Sequence, residues 1–176
     1  MANLEPLIQS IPVAPLKLAS LEGCRTLADQ VNNYLVSFRH ESPTNVGQAD
    51  SLQGYCADSY LLECECPRFG SGEGKGVLKE SVRGCDLFIM VDVTNYSLTY
   101  RVNGYENHMS PDNHYQDLKR IISAADGKAR RINVIMPFLY EGRQHKRSKR
   151  ESLDCALMLQ ELVDMGVSNI LTFDAD

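Results

Sequence analysis

The run Asp86-Leu-Phe-Ile-Met-Val-Asp-Val93 does most to limit what this chain can fold into. It is β-rich and apolar almost throughout, without the alternation of a half-exposed strand, so it suits a strand covered on both faces. Residues 132–137 repeat that character, and residues 16–20 and 169–173 read as two further strands. Between these runs the apolar spacing becomes helical. Cys24, Leu27, Ala28, Val31, Leu35 and Phe38 form one helical face, and Tyr115, Leu118, Ile122 and Ala125 a second, halted near Gly127. Cys155, Met158, Leu159 and Leu162 form a third, with Ser152 placed to cap it and Gly166 to end it. Buried strands alternating with helices predict an α/β fold built on a parallel sheet with flanking helices.

The remaining segments are attachments. Residues 1–14 read as an arm interrupted by Pro6 and Pro12, and residues 40–58 and 94–111 as polar loops. Residues 60–66 alternate, with Leu62, Cys64 and Cys66 on one side and Glu63 and Glu65 on the other. Together with residues 77–82 they predict an antiparallel hairpin around the glycine-dense stretch from Gly70 to Gly76. A Walker loop is excluded there: that motif needs glycine at Phe69 and Ser or Thr at Gly76, between a strand and a helix.

Charge narrows the function classes. The 176 residues carry 18 basic and 23 acidic side chains, a net charge of −5, which argues against a general phosphate-backbone binder. No apolar run is long enough to span a bilayer, and no secretory leader is visible, so neither a membrane nor nucleic acid is an expected partner. The six cysteines lack a CxxC pair and read as reduced thiols of a cytoplasmic protein. Histidines 40, 108, 114 and 145 show no metal spacing.

Ligands of parallel sheets gather beyond the carboxyl ends of the strands, which directs attention to Asp92, to the loop 138–151, and to Asp174 and Asp176. The loop holds five Lys or Arg between residues 143 and 150 and no acid, on a chain otherwise rich in carboxylates. A compact cationic segment of that kind suits a small polyanion such as a nucleotide; the alternative is a solvated basic loop. Asp174 and Asp176 read either as magnesium ligands or as turn formers.

Together these residues resemble the amino-terminal half of ribose-phosphate pyrophosphokinase, also called phosphoribosyl pyrophosphate synthetase. The family's R-F-x-D-G-E segment stands here as Arg68-Phe-Gly-Ser-Gly-Glu73, and its E-S-V-R-G-x-D-V-F-I segment as Glu80-Ser-Val-Arg-Gly-Cys-Asp-Leu-Phe-Ile89. A D-N ahead of a helix appears as Asp112-Asn113. The family's V-I-P-x-F-x-Y-x-R-Q-D-[KR]-K run appears as Val134-Ile-Met-Pro-Phe-Leu-Tyr-Glu-Gly-Arg-Gln-His-Lys-Arg147, and its closing segment is echoed from Gly166 to Asp176. The likeness covers residues 15–176.

The resemblance implies a phosphoribosyltransferase-like fold and a homo-oligomer. It implies an ATP site in which Phe69 stacks on one face of adenine and Arg143 covers the other, the two supplied by different protomers. Gln144 would bond the nucleotide, Lys146 and Arg147 would face its phosphates, and Glu73 would lie on the same reaching hairpin as Phe69. Ser71 replaces an aspartate of the family, His145 and Ser148 replace two acids of the basic loop, and Asp176 falls where the family has a metal-linked histidine. Residues 40–58 and 94–111 are longer than their counterparts. The implied reaction of the complete enzyme is pyrophosphoryl transfer from magnesium ATP to ribose 5-phosphate. The second domain that carries the ribose-phosphate loop is absent from these residues, so this chain alone is expected to be inactive. The other readings are a non-catalytic regulatory partner of such a synthetase and, from the basic run, a nucleic-acid module.

Overall fold

The computed structural model describes residues 12–41 and 54–174. Strand β1, Leu16–Ser20, leads through a tight 3-10 turn, Glu22–Cys24, into helix α1, Arg25–Glu41. The helix therefore takes in residues 40 and 41, assigned above to a loop. The rest of that loop through residue 53, and residues 1–11 of the expected arm, lie outside the described residues.

Three short strands follow: β2 (Leu61–Leu62), β3 (Cys64–Glu65) and β4 (Val77–Leu78). The alternation read over residues 60–66 holds, with Leu62 and Cys64 buried and Glu63 and Glu65 exposed. The stretch is nevertheless divided between two sheets. β2 runs parallel beside β1, whereas β3 turns away to pair antiparallel with β4 as the expected hairpin.

Strand β5 is Asp86–Met90. The segment after it, read from sequence as loop, contains a second hairpin: β6 (Thr99–Val102) against β7 (Tyr105–His108). Asn103 and Gly104 make its turn, both at positive φ (50° and 88°). Asn-Gly favours that two-residue connection because both positions tolerate the left-handed region.

Helix α2, Pro111–Ala125, starts earlier than its apolar spacing suggests, so Asp112 and Asn113 lie in its first turn rather than ahead of it. Ser110 caps it by accepting the Asn113 backbone N–H, proline occupies the first turn, and Asp126 closes the end in the left-handed region. Strand β8 is Arg131–Ile135, helix α3 is Asp154–Asp164 and strand β9 is Val167–Leu171. Ser152 does not cap α3 as expected. Leu153 holds the cap position, and the Ser152 hydroxyl donates instead to the Asp154 carboxylate (2.6 Å). Gly166 follows α3 at φ 89°, the conformation for which glycine is suited at a helix end.

The main sheet is five-stranded and parallel, in the order β2-β1-β5-β8-β9. One face packs Leu87, Ile89, Val134 and Met136 against Leu118, Ile121 and Ile122 of α2 and Met158 and Leu162 of α3. The other packs Leu18 and Met90 against Cys24 and Ala28, with Leu27 and Val31 of α1 alongside. Covering on both faces is why β5 reads as unbroken apolar sequence. At the opposite end of the sheet from the candidate site, Asp86 accepts a forked pair of bonds from Arg131 (2.8 and 2.5 Å) and a third from Asn133 (2.8 Å). Asn133 in turn accepts from Asn169 (2.7 Å), so polar side chains tie β5, β8 and β9 in register.

Candidate functional site

The hairpin of β3 and β4 carries Phe69 at its tip. Beyond the paired strands it is drawn together again by a bridge between Arg68 and Gly74. The tip is closed by two backbone bonds, from the Phe69 N–H to the Glu73 carbonyl (2.7 Å) and from the Gly72 N–H to the Phe69 carbonyl (2.9 Å). The Phe69 ring is left 54% exposed at this tip. Ser71 and Glu73 are exposed on the same tip, and the Ser71 hydroxyl donates to the Glu73 carboxylate (2.8 Å).

What pins this hairpin is a buried ionic cluster that sequence reasoning missed. Asp117 of α2 takes a forked pair of bonds from Arg68 (2.6 and 2.8 Å) and another from Arg120 (2.6 Å). The Asp117 side chain is only 6% exposed, and both guanidinium groups bond its carboxylate. The approach is close enough to demand glycine. A Cβ on Gly74 would overlap the Arg68 guanidinium, and one on Gly76 the Arg120 carbonyl. An Asp between the buried Tyr115 and Leu118 of an apolar helix face was the signal available in the sequence.

The second region begins where β8 ends. Phe138 bridges in parallel to Asp174, the Leu139 N–H donates to the Asp174 carbonyl (2.9 Å), and the chain turns at Glu141 with φ 57°. A 3-10 turn, Gly142–Gln144, then presents Arg143 to solvent. Phe138, Arg143, His145 and Asp174 line an open cleft of about 390 Å³. The strand-end rule thus brings the basic loop and Asp174 together. Asp92, the other strand-end acid, accepts from the Thr94 N–H and hydroxyl and forms a turn.

Gln144 donates its amide to the Ser152 carbonyl (2.7 Å), closing the loop on itself, and His145 Nδ1–H donates to the Gly142 carbonyl (2.9 Å). Lys146 and Arg147 are exposed beside them. The loop is tied to the body through Tyr140, whose hydroxyl donates to Asp112 of α2 (2.6 Å) and whose ring stacks on Tyr115 at 4.5 Å. The Tyr115 hydroxyl donates to Glu161 of α3 (2.7 Å), which also takes a bond from Lys119 (2.9 Å). Burial, and then these carboxylate partners, push both tyrosines far above the usual phenol range. The Lys119 and Tyr115 bonds hold Glu161 below the usual carboxylate range.

Phe69 and Arg143 therefore sit on separate elements, and the cation–π pairs among the described residues involve other side chains. Asp176, expected to hold metal, lies outside the described residues. Among those described, no cluster of three or more His, Cys, Asp or Glu is gathered for a metal ion. No described helix is long and apolar enough to cross a membrane.

A protein-family model of the N-terminal domain of ribose phosphate pyrophosphokinase matches residues 16–166. The chain belongs to this family. Ribose-phosphate pyrophosphokinases of Corynebacterium ammoniagenes and Bacillus cereus are each 29% identical to it over 161 residues, covering 90% of this chain and 39% of their own length. The phosphoribosylpyrophosphate synthetase of Mycobacterium smegmatis superposes with a TM-score of 0.62 at 23% identity, over 90% of this chain and 42% of that one. The fold is thus that of a pyrophosphokinase N-terminal domain, a phosphoribosyltransferase-like parallel sheet with helices on both faces, here with two antiparallel hairpins attached. This chain spans well under half the length of these relatives.

Proposed function

We propose that this chain is the ATP-binding and oligomerisation domain of a ribose-phosphate pyrophosphokinase. The reading is carried by one observation: an exposed aromatic ring on a pinned hairpin, and an exposed guanidinium over a strand-end cleft, in a domain of this family. Phe69 of one protomer and Arg143 of another enclose the purine, a ring stack on one face and a cation–π contact on the other. Gln144 bonds the nucleotide once its amide leaves Ser152. Lys146 and Arg147 offset the charge of the phosphates, and Glu73 and Ser71 border the ring from the hairpin. Magnesium enters as part of the substrate, magnesium ATP. A hard cation of that kind takes most of its ligands from phosphate and water, so a lone carboxylate at the strand end, Asp174 or Asp176, is a sufficient protein contribution.

In the complete enzyme the 1-hydroxyl of ribose 5-phosphate attacks the β-phosphorus of ATP. The bond from that phosphorus to the AMP oxygen breaks, and the hydroxyl proton is released. The products are phosphoribosyl pyrophosphate and AMP. Such a transfer chiefly needs in-line positioning and neutralised charge, which is what a cationic loop and an aromatic clamp provide. The groups that hold the sugar phosphate belong to a second domain, so this chain alone binds ATP without turning it over. Six unpaired thiols fit a reducing, cytoplasmic setting.

Calorimetric titration of magnesium ATP into the chain at oligomer-forming concentration tests the proposal. Phe69→Ala and Arg143→Ala are each expected to weaken binding about tenfold. Binding indifferent to both substitutions overturns it. The Ser71–Glu73 hydrogen bond, which occupies a carboxylate of the expected site, favours one second reading: a regulatory partner that assembles with a complete synthetase and binds nucleotide poorly. Co-purification with such a synthetase, and a change in its nucleotide inhibition, distinguishes that reading.

A further inference from the structure

The hairpin that carries Phe69 is pinned at Arg68, but its own strand pairing is short. Its strands pair at only two positions, Cys64 with Leu78 and Glu65 with Val77, followed by the single bridge at Arg68. Two-stranded ribbons of that size are not stable alone. The β6–β7 hairpin is better made, with four pairs from Thr99 opposite His108 to Val102 opposite Tyr105, and an Asn-Gly turn.

The root of β6–β7 is also tied down. The Met109 N–H donates to the Leu98 carbonyl (2.9 Å), and Tyr96 stacks on His108 at 4.4 Å. Asn95 donates to the Gly23 carbonyl (3.2 Å) and accepts at its own carbonyl from His114 Nε2–H of α2 (2.6 Å).

Strand β6 and the turn after it lie along the Phe69 tip and meet it at three successive places. The Tyr100 ring stands over the Arg68 guanidinium at 5.3 Å. The Asn103 N–H donates to the Gly70 carbonyl (2.9 Å). At Gly72, whose φ is 91°, a Cβ would come within 2.8 Å of Val102 Cγ2 and 3.8 Å of Tyr100 Cε2, so only hydrogen fits between the two hairpins. These contacts flank Phe69 on both sides in sequence.

From this the geometry points to a positioning role for β6–β7: Tyr100, Val102 and Asn103 brace the β3–β4 tip and set where Phe69 is presented to the nucleotide. The role rests on the nucleotide reading above. Tyr100 and Val102 are both partly exposed and outside the buried core, so they can be changed without removing core side chains. Residues 94–111, longer here than in the family resemblance, thereby acquire a purpose. The brace replaces freedom at the tip with a fixed approach, and precise orientation of a binding group is a large part of what such a site needs.

The test uses the whole chain carrying Tyr100→Ala and Val102→Ala together, read by amide hydrogen exchange and by magnesium ATP calorimetry. Exchange at the Phe69, Gly72 and Asn103 amides is expected to quicken about tenfold or more while β5 and α2 keep their protection, and the ATP dissociation constant to rise about fivefold. The conservative pair Tyr100→Phe with Val102→Ile restores both. Unchanged exchange at the three amides overturns the brace, as does a rise spread through the whole fold. Selective loosening with unaltered ATP affinity overturns the positioning role. A Phe69→Ala variant that binds ATP like the parent overturns the nucleotide reading instead, while the exchange pattern still decides the brace.

Discussion

Cys24, Cys64 and Cys66 are held un-ionised by their surroundings. Burial pushes the thiols of Cys24 and Cys64 up to about 11; burial and then the Asp117 charge push Cys66 to about 12. In an unfolded chain the same groups ionise near pH 8.5, about the ordinary thiol value. A raised folded-state pKa contributes stability that is complete below that pH and is lost as the pH climbs through the folded value. The thermal midpoint is therefore expected to fall between about pH 8.5 and about pH 11, and to fall less steeply in Cys66→Ala; circular dichroism melts across that range check it. Exposed Cys56 is expected to react with a thiol reagent ahead of the three raised thiols, which mass-resolved labelling at neutral pH checks.

Among the elements, the contact between the β3–β4 hairpin and α2 depends on one carboxylate. Asp117→Ala leaves the Arg68 and Arg120 side chains, 10% and 20% exposed, facing each other without an anion. The expected loss is about 3–5 kcal/mol, measured by denaturant unfolding. Nothing local in the sequence announces this pairing, because Arg68 and Asp117 are brought together only by the packing of hairpin on helix. The main sheet was legible for the opposite reason: β5 and β8 are covered on both faces, and burial writes itself into a strand as continuous apolar residues. The β6–β7 hairpin escaped notice because the alternation is confined to Tyr100 and Val102 of β6 and finds no apolar answer in β7, leaving Asn103-Gly104 as the clearer sign. Of the candidate site, the strand-end rule pointed to the loop 138–151 and to Asp174 as separate places, which the structure sets along one cleft; apolar spacing located neither Tyr140 nor Asp112. Tyr140 is tethered by a hydroxyl and a ring stack, and neither leaves a periodic trace.

At the scale of the whole molecule, a chain of net charge −5 gathers five cations in one loop and leaves −10 on the rest. The proposed nucleotide binding is then a local attraction set against a repulsive body, and salt screens both. Raising ionic strength from about 0.05 M to about 0.5 M is expected to weaken magnesium ATP binding about tenfold, with a flatter response in Lys146→Ala/Arg147→Ala; titrations at several salt concentrations measure it.

Helix α2 holds Tyr140 through Asp112 and the Phe69 hairpin through Asp117. Five residues apart, these carboxylates point about 140° away from each other around the helix. With the purine enclosed between protomers as proposed, one rigid rod carries a part of its own subunit's site and a part of the next subunit's. Coupling between neighbouring sites through that rod is the expected consequence, and a magnesium ATP saturation curve that departs from a simple hyperbola is the measurement that checks it.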